Sequence, residues 1–122
     1  MGYGAFIPAK SVDVTRTLGT TYTASNKTLL ANYTVQLTVT ASITGGQSAQ
    51  VQAQIRPTAA DPWETVASQK MDLTFTLAIV TVAMRQQDDR VLTFIVPKGY
   101  EYRVISSGAG TSALLYSKEV NL

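Results

Sequence analysis

The stretch 33–43, YTVQLTVTASI, alternates apolar and polar side chains without a break. Successive side chains of a β-strand point to opposite faces, so this pattern predicts a long strand with one buried face. A second alternating stretch, 49–56, follows Gly45-Gly46 and stops at Pro57, whose missing N–H ends a strand ladder. Two strands joined through Gly-Gly predict a β-hairpin. The apolar positions of the two strands are Tyr33, Val35, Leu37, Val39, Ala41, Ile43, Ala49, Val51, Ala53 and Ile55.

The period-two signal continues toward the carboxyl terminus. Strand structure is predicted over 71–84, where a phase change near Val80 indicates either a β-bulge or two strands with a bend between them. Further strands are predicted over 91–96 and 100–104, joined as a hairpin by a type I turn at 97–99 with Pro at its second position.

The last strand is predicted to follow the turn Gly108-Ala109-Gly110. Its alternation places Leu114, Tyr116 and Val120 on one face. Near the start of the chain, Val12, Val14 and the segment 20–23 add short strands.

These elements define an all-β fold. No window carries the 3.6-residue stripe of an amphipathic helix, and seven to nine strands are separated by turn signals every eight to twelve residues. That spacing predicts an antiparallel β-sandwich of jelly-roll-like type. We expect one domain over residues 11–122, preceded by a short extended arm over 1–10.

The amino-acid composition excludes several classes of function. The 122 residues include no Cys and no His, which excludes Ser-His-Asp and Cys-His catalysis and the usual zinc sites. The chain has ten Lys and Arg residues and eight Asp and Glu residues. The cations are scattered along the sequence, which argues against a nucleic-acid partner. The longest nearly apolar run has eight residues, far short of a membrane helix. The N-terminus lacks the features of a signal peptide, so synthesis in a cytoplasm without membrane insertion is expected.

No acid–base, cofactor or metal site emerges from the carboxylates. Asp88 and Asp89 are adjacent and would point to opposite faces of a strand, so they cannot act as a pair. With Arg90 they fall in the polar stretch 85–90, which predicts an exposed hairpin loop. We therefore expect a protein that is not an enzyme, with no cofactor and no bound metal.

Trp63, in the loop sequence Asp61-Pro62-Trp63-Glu64, leaves two interpretations open. It either caps one end of the sandwich or is an exposed aromatic that contacts a sugar or a protein. Together with Asp88, Asp89 and Arg90, it is a candidate for exposed-loop contacts.

Two apolar segments are candidates for docking. The arm carries Tyr3, Phe6 and Ile7, which either dock on a neighbouring molecule or fold back on the same domain. The second segment, 73–82, has no charge and is apolar on both strand faces over 77–82. A strand of that kind is either central in a sheet or pressed against another subunit, because an exposed one would aggregate. It indicates a homo-oligomer, with Leu77, Ile79 and Val80 as contact candidates.

Two motifs extend the interpretation. The opening Arg16-Thr17-Leu18-Gly19-Thr20-Thr21-Tyr22-Thr23 and the later Val96-Pro97-Lys98-Gly99-Tyr100-Glu101-Tyr102-Arg103-Val104 are followed by the short last strand around 115–120. This arrangement resembles small β-sandwich domains of tailed-bacteriophage virion proteins, over about Thr15 to Leu122. The resemblance implies a non-enzymatic virion component that is displayed outward, often as a trimer at the tip of a fibre.

The resulting hypothesis is a structural protein on the surface of a tailed-phage virion. It would be a homotrimer that serves as a tail-fibre or receptor-binding component and contacts other virion proteins and a host-surface receptor. Fibre proteins usually carry an anchor and a shaft before such a tip, whereas this sequence begins close to the sandwich. A capsid decoration (cement) protein that stabilises the head therefore remains an alternative, and a carbohydrate-binding module is a second one.

Overall fold

The computed structural model describes residues 12–41, 45–73 and 84–122, and all of their regular structure is β. The strands are β1 (Val12–Asp13), β2 (Tyr22–Thr23), β3 (Leu29–Ala41), β4 (Gln47–Arg56), β5 (Glu64–Leu73), β6 (Met84–Val96), β7 (Glu101–Ser107) and β8 (Thr111–Asn121). Within these ranges no helix is long and apolar enough to cross a membrane. The predicted docking residues Tyr3, Phe6, Ile7, Leu77, Ile79 and Val80 lie outside the described residues.

The strands form two antiparallel four-stranded sheets. Sheet I has the order β1-β8-β3-β6, and sheet II has the order β2-β7-β4-β5. The ladders join β1 to β8, β2 to β7, β3 to β6 and β4 to β5, so the chain pairs like one long hairpin rolled over on itself. This is the jelly-roll arrangement of a β-sandwich. The predicted all-β sandwich is confirmed, and eight strands fall within the predicted range.

The core lies between the sheets and follows the alternation of β3 and β4. Every second residue of β3 from Tyr33 to Ala41 is buried, as is every second residue of β4 from Ala49 to Ile55. Removing one such Val or Leu side chain from water contributes about 2 kcal/mol. The other sheet partners add Met71, Leu92, Phe94, Val96, Tyr102 and Val104.

The predicted hairpins are wrong, although a turn is present at Pro97-Lys98-Gly99. In each case the two flanking strands belong to different sheets: β3 and β4 around Gly45-Gly46, and β6 and β7 around Pro97-Lys98-Gly99. The Tyr100 amide donates to the Pro97 carbonyl at 3.0 Å, and Gly99 has a φ of 87°. Pro97 is thus the first residue of a type II turn, not the second of a type I turn. Turn chemistry is local, whereas the partner of a strand is set by distant pairing.

Strand β6 replaces the predicted loop over 85–90. It begins at Met84 and pairs with β3 along its whole length, with Asp89 opposite Gln36 and Asp88 opposite Leu37. Its first half is polar because β6 is the edge strand of sheet I, where both of its faces reach solvent. Strand β5 also begins earlier than predicted, at Glu64, and its first half is exposed as well.

The alternation of the last strand changes phase at a β-bulge, which the sequence did not predict. The register between β3 and β8 shifts after Thr34, and Leu115 is the extra residue of a β-bulge. Beyond the bulge Ser117 and Glu119 face the core, whereas Tyr116 is exposed. The prediction that Leu114, Tyr116 and Val120 share one face is therefore wrong, because Leu114 packs against the core and the other two face outward.

The turn from β7 to β8 passes close to the ends of β3 and β4. The Gly110 amide donates to the Ser48 carbonyl at 2.8 Å. A Cβ atom on Gly110 would lie 2.6 Å from the Thr38 carbonyl oxygen and 2.9 Å from Val39 Cγ1. Only glycine fits there without moving backbone.

We expect Gly110→Ala to lower the free energy of unfolding by about 1–3 kcal/mol, the usual cost of overpacking a filled site. Urea unfolding followed by circular dichroism measures the change. The matched control is Ala109→Ser, which adds one atom to the same turn at an exposed position. Equal stability of the two variants would contradict the close packing at Gly110.

Candidate functional site

A carboxylate lies buried at one end of the sandwich. Glu119, on the inward face of β8, is 9% exposed and accepts hydrogen bonds from three side chains. Tyr33 donates to Oε2 at 2.5 Å, and the Tyr102 hydroxyl lies 3.1 Å from both oxygens. Arg16 donates through Nε at 3.1 Å and Nη2 at 3.0 Å, a bidentate ion pair. We call these four residues the Glu119 cluster.

The cluster joins parts of the chain that are far apart in sequence. Tyr33 and Glu119 come from β3 and β8 of sheet I, Tyr102 comes from β7 of sheet II, and Arg16 lies in the segment that crosses from β1 to β2. The Arg16 guanidinium also lies 4.4 Å from the ring centroid of Tyr22 on β2. The contacts fix Arg16 over the edge of both sheets.

The surroundings shift the protonation equilibria of the cluster. Burial raises the pKa of Tyr33 far above its ordinary value, and the hydrogen bond to Glu119 and its negative charge add to the shift. Burial also raises the pKa of Tyr102, with the Glu119 charge acting in the same direction and the Arg16 hydrogen bond against it. For Arg16, burial acts to lower the pKa, but the bonds to Glu119 and Tyr102 outweigh it and raise the pKa.

An open cleft of about 560 Å³ lies beside the cluster. Its polar lining is neutral apart from Lys27, Arg16 and Glu119, and includes Thr23 and Asn121. Both oxygens of Glu119 already accept hydrogen bonds from Arg16 and the tyrosines, so the carboxylate is committed to holding the sandwich together. In the described ranges no three His, Cys, Asp or Glu residues come together as metal ligands.

Trp63 neither caps the end of the core nor offers a bare aromatic platform. It precedes β5, is half-buried, and packs on the outward side of sheet II. The guanidinium carbons of Arg56 and Arg103 lie 4.1 Å and 4.3 Å from its ring centroid. Both contacts are within cation–π range, so the ring is covered by two cations.

The remaining contact candidates lie in β6 rather than in a loop. Asp88 and Arg90 share one face of the strand and form an ion pair at 2.9 Å. Arg90 also reaches Gln69 of β5 at 3.5 Å, which bridges the open edge between the sheets. Asp89 points the other way, to the outer face of sheet I. The structure thus does not bring these residues near Trp63, and their role in contacts stays a prediction.

The outer face of sheet I carries an apolar patch that the sequence interpretation missed. Across β6, β3 and β8, one row aligns Ile95, Leu30 and Val120. A second apolar row, four residues along β3, aligns Val91, Thr34 and Tyr116. Val91, Ile95 and Tyr116 are 50%, 54% and 63% exposed. We call the five residues Leu30, Val91, Ile95, Tyr116 and Val120 the sheet I patch.

The row between these two is polar. It consists of Thr93, Asn32 and Lys118, and the Thr93 hydroxyl donates to Asn32 Oδ1 at 2.7 Å. Lys118 is the one charge within the three rows. The β-bulge at Leu115 explains why the sequence alone hid the patch, since it places Tyr116 and Val120 on the outer face while Leu114 packs against the core.

No protein-family profile and no curated protein matches this chain. Among solved structures, the chain is similar to that of Eiger TNF from S. frugiperda, with 10% sequence identity and a TM-score of 0.51. The match covers 80% of this chain and 60% of the Eiger TNF chain, so this chain spans less than two thirds of that protein's length. At such identity the similarity concerns the β-sandwich fold alone.

We expect Glu119→Gln to destabilise the fold by about 3 kcal/mol, because it leaves the part-buried Arg16 charge without its partner. Tyr33→Phe removes one hydrogen bond to a charged group and costs about 2 kcal/mol. Glu64→Gln is the control, since it removes the same charge at an exposed strand end. Urea unfolding that ranks Glu64→Gln with Glu119→Gln would contradict a stabilising role for the cluster.

The raised pKa values predict an alkaline transition. Tyr33 and Tyr102 keep their protons when folded, whereas in the unfolded chain they ionise near pH 10. Their contribution to stability is therefore complete below about pH 10 and is lost as the pH rises further. Absorbance at 295 nm should show part of the tyrosinate signal appearing only with loss of the β-sheet circular dichroism. In Tyr33→Phe that late part shrinks; a single reversible titration with the fold intact would disprove the assignment.

Proposed function

We propose that this protein is a non-enzymatic, homo-oligomeric structural protein displayed on the surface of a tailed-phage virion. A tail-fibre or receptor-binding component is the first reading, and a capsid decoration protein is the alternative. The observation that carries the proposal is the sheet I patch. The resemblance of the Arg16–Thr23 and Val96–Val104 motifs to phage virion domains supplies the virion part.

The sheet I patch is best suited to bind another copy of the same chain. The three long strands of sheet I lie about 4.8 Å apart, and with six outward positions along β3 they form an outer face of about 500 Å². That is more than half of the roughly 800 Å² that each partner buries in a stable protein interface. One face of this size, with apolar rows at one end, can hold two or three copies together. We take the trimer as the assembly, because the related virion domains are often trimeric.

The second outer face supports outward display. On sheet II the outward residues of β4 and β5 are mainly Gln, Ser and Thr, including Gln50, Gln52, Gln54, Thr65 and Ser68. Such a surface stays in contact with water without adhering to copies of itself. A sandwich with one apolar and one polar outer face suits a protein that assembles through one side and presents the other.

Ile95→Lys tests the assembly. Sedimentation or light scattering of the native chain at micromolar concentration should give an oligomer, and Ile95→Lys should shift it to monomer by placing a charge in the interface. Val66→Lys, at an exposed apolar residue on the other sheet, is the matched control and should remain oligomeric. A monomeric native chain, or an oligomer that survives Ile95→Lys, would overturn the role of the patch.

Location on the particle tests the virion part separately. Immunogold electron microscopy of purified virions should place the label on the particle. Label at the tail tip supports attachment, and label over the head supports the decoration alternative. Particles without label would refute the proposal. A carbohydrate-binding module that stacks a sugar on a bare aromatic ring finds less support, because Arg56 and Arg103 cover the ring of Trp63.

A further inference from the structure

Two arginines stand side by side on the outer face of sheet II. Arg56 on β4 and Arg103 on β7 are diagonal neighbours, because Arg56 lies opposite Glu101 and Arg103 lies opposite Gln54. Both pack on Trp63 at 4.1 Å and 4.3 Å. This contact holds two flexible side chains in place before any ligand arrives.

Each guanidinium keeps part of its hydrogen-bonding capacity free. Arg56 bonds through Nε to Glu101 at 2.7 Å, and Arg103 bonds through Nε to Gln54 at 2.9 Å. The terminal nitrogens of both make no hydrogen bond to the described residues. No buried side-chain nitrogen or oxygen of the described part lacks a partner, so these terminal nitrogens reach solvent. Two donor pairs are therefore available on one small surface.

The charge balance of the pair is positive. Glu101 neutralises Arg56, whereas the partner of Arg103 is an uncharged amide. One net positive charge thus remains beside two planar groups of donors. Planar guanidinium groups bind carboxylates through two parallel hydrogen bonds, and side chains that are already ordered lose less entropy on binding.

The neighbouring side chains suit hydroxyl groups. Along β4 and β5, Gln54 donates to Thr65 at 3.2 Å and Gln50 donates to Ser68 at 3.1 Å. Gln52 lies between them on the same face. These amides and hydroxyls form an uncharged polar strip that begins at the arginines, and it can exchange hydrogen bonds with a polyhydroxylated chain.

We propose that Arg56, Trp63 and Arg103 form a binding site for the carboxylate of an acidic polysaccharide, whose sugar hydroxyls lie along the glutamine strip. The site lies on the face that the proposed function presents outward, and its assignment to a polysaccharide rests on that function. The carboxylate binds to the terminal nitrogens of Arg103 and Arg56. Site and patch lie on opposite faces of the sandwich, so an oligomer leaves the site open.

Trp63 is the only tryptophan of the chain and reports binding directly. The probe is hexagalacturonate, and its methyl-esterified form is the uncharged control. We expect the acid form to change Trp63 fluorescence with a dissociation constant of about 0.1–1 mM, and the ester to bind at least about tenfold more weakly. No change in fluorescence and no heat of binding up to about 10 mM acid form would overturn the proposal.

Variants locate the site. Arg103→Gln should weaken hexagalacturonate binding about tenfold, and Arg103→Lys should weaken it severalfold, because the charge stays but the fork of donors is lost. Lys70→Gln removes one positive charge from the same outer face, four residues further along the ladder, and should change binding less than about twofold. Circular dichroism confirms that each variant is folded. Equal losses in Arg103→Gln and Lys70→Gln would mean diffuse charge attraction and would refute the site.

Two further measurements distinguish the possible causes of a change in Trp63 fluorescence. Inorganic phosphate or acetate that reproduces the full affinity of hexagalacturonate would show a simple anion site and overturn the sugar assignment. Light scattering on the same samples separates this proposal from the function proposed above. An intact oligomer that does not bind refutes the ligand site alone, whereas a monomer that binds supports the site and refutes the assembly.

Discussion

The ion pair between Arg16 and Glu119, with the hydroxyls of Tyr33 and Tyr102 on the same carboxylate, fixes how the two sheets meet. Apolar burial drives the sheets together but has no direction. A buried carboxylate does have direction, because each of its donors must keep a hydrogen-bond geometry or leave a charge unpaired. Glu119 faces the core only if β8 has its bulge at Leu115, so the cluster selects the phase of the last strand. The apolar patch outside is a consequence of the same choice.

The jelly-roll topology makes this interaction necessary at one end. Strands β1 and β2 contribute only two residues each to their ladders. The segment between them is held instead by separate backbone bonds, such as Gly19 to Val104 at 2.7 Å and Val14 to Ser117 at 2.9 Å. Arg16 lies in the middle of this segment and bonds across 103 residues of sequence to Glu119. The two shortest ladders of the described residues are thus supported by a bidentate, partly buried ion pair.

The sequence could predict what depends on neighbouring residues, and it failed where distant ones decide. The period-two patterns of β3 and β4 gave the core correctly, since half-buried strands record their two faces directly. The turn at Pro97-Lys98-Gly99 was recognised, but the strands around it, like those around Gly45-Gly46, were paired with the wrong partners. The polar stretch before Val91 looked like a loop because an edge strand need not bury either face. No sequence pattern marked Glu119 as a buried carboxylate, because its hydrogen-bond donors come from three other elements. The pairing of Arg56 and Arg103 on Trp63 was hidden for the same reason.

An oligomer carries several copies of each outer face, and this repetition affects how tightly it binds a polymer. In the proposed oligomer the sheet I patch is buried between copies of the chain. Each copy then adds one Arg56–Trp63–Arg103 site to the outer surface. A site with one net positive charge binds a single carboxylate only weakly. An acidic polysaccharide repeats its carboxylates, however, so after the first contact the next one binds at a high effective concentration. In the proposed oligomer, several weak sites would together bind the long polymer firmly but reversibly. Ile95→Lys should therefore reduce binding to the long polymer while leaving hexagalacturonate affinity per site unchanged. This difference follows from avidity alone, because Ile95 and Trp63 lie on opposite faces of the sandwich.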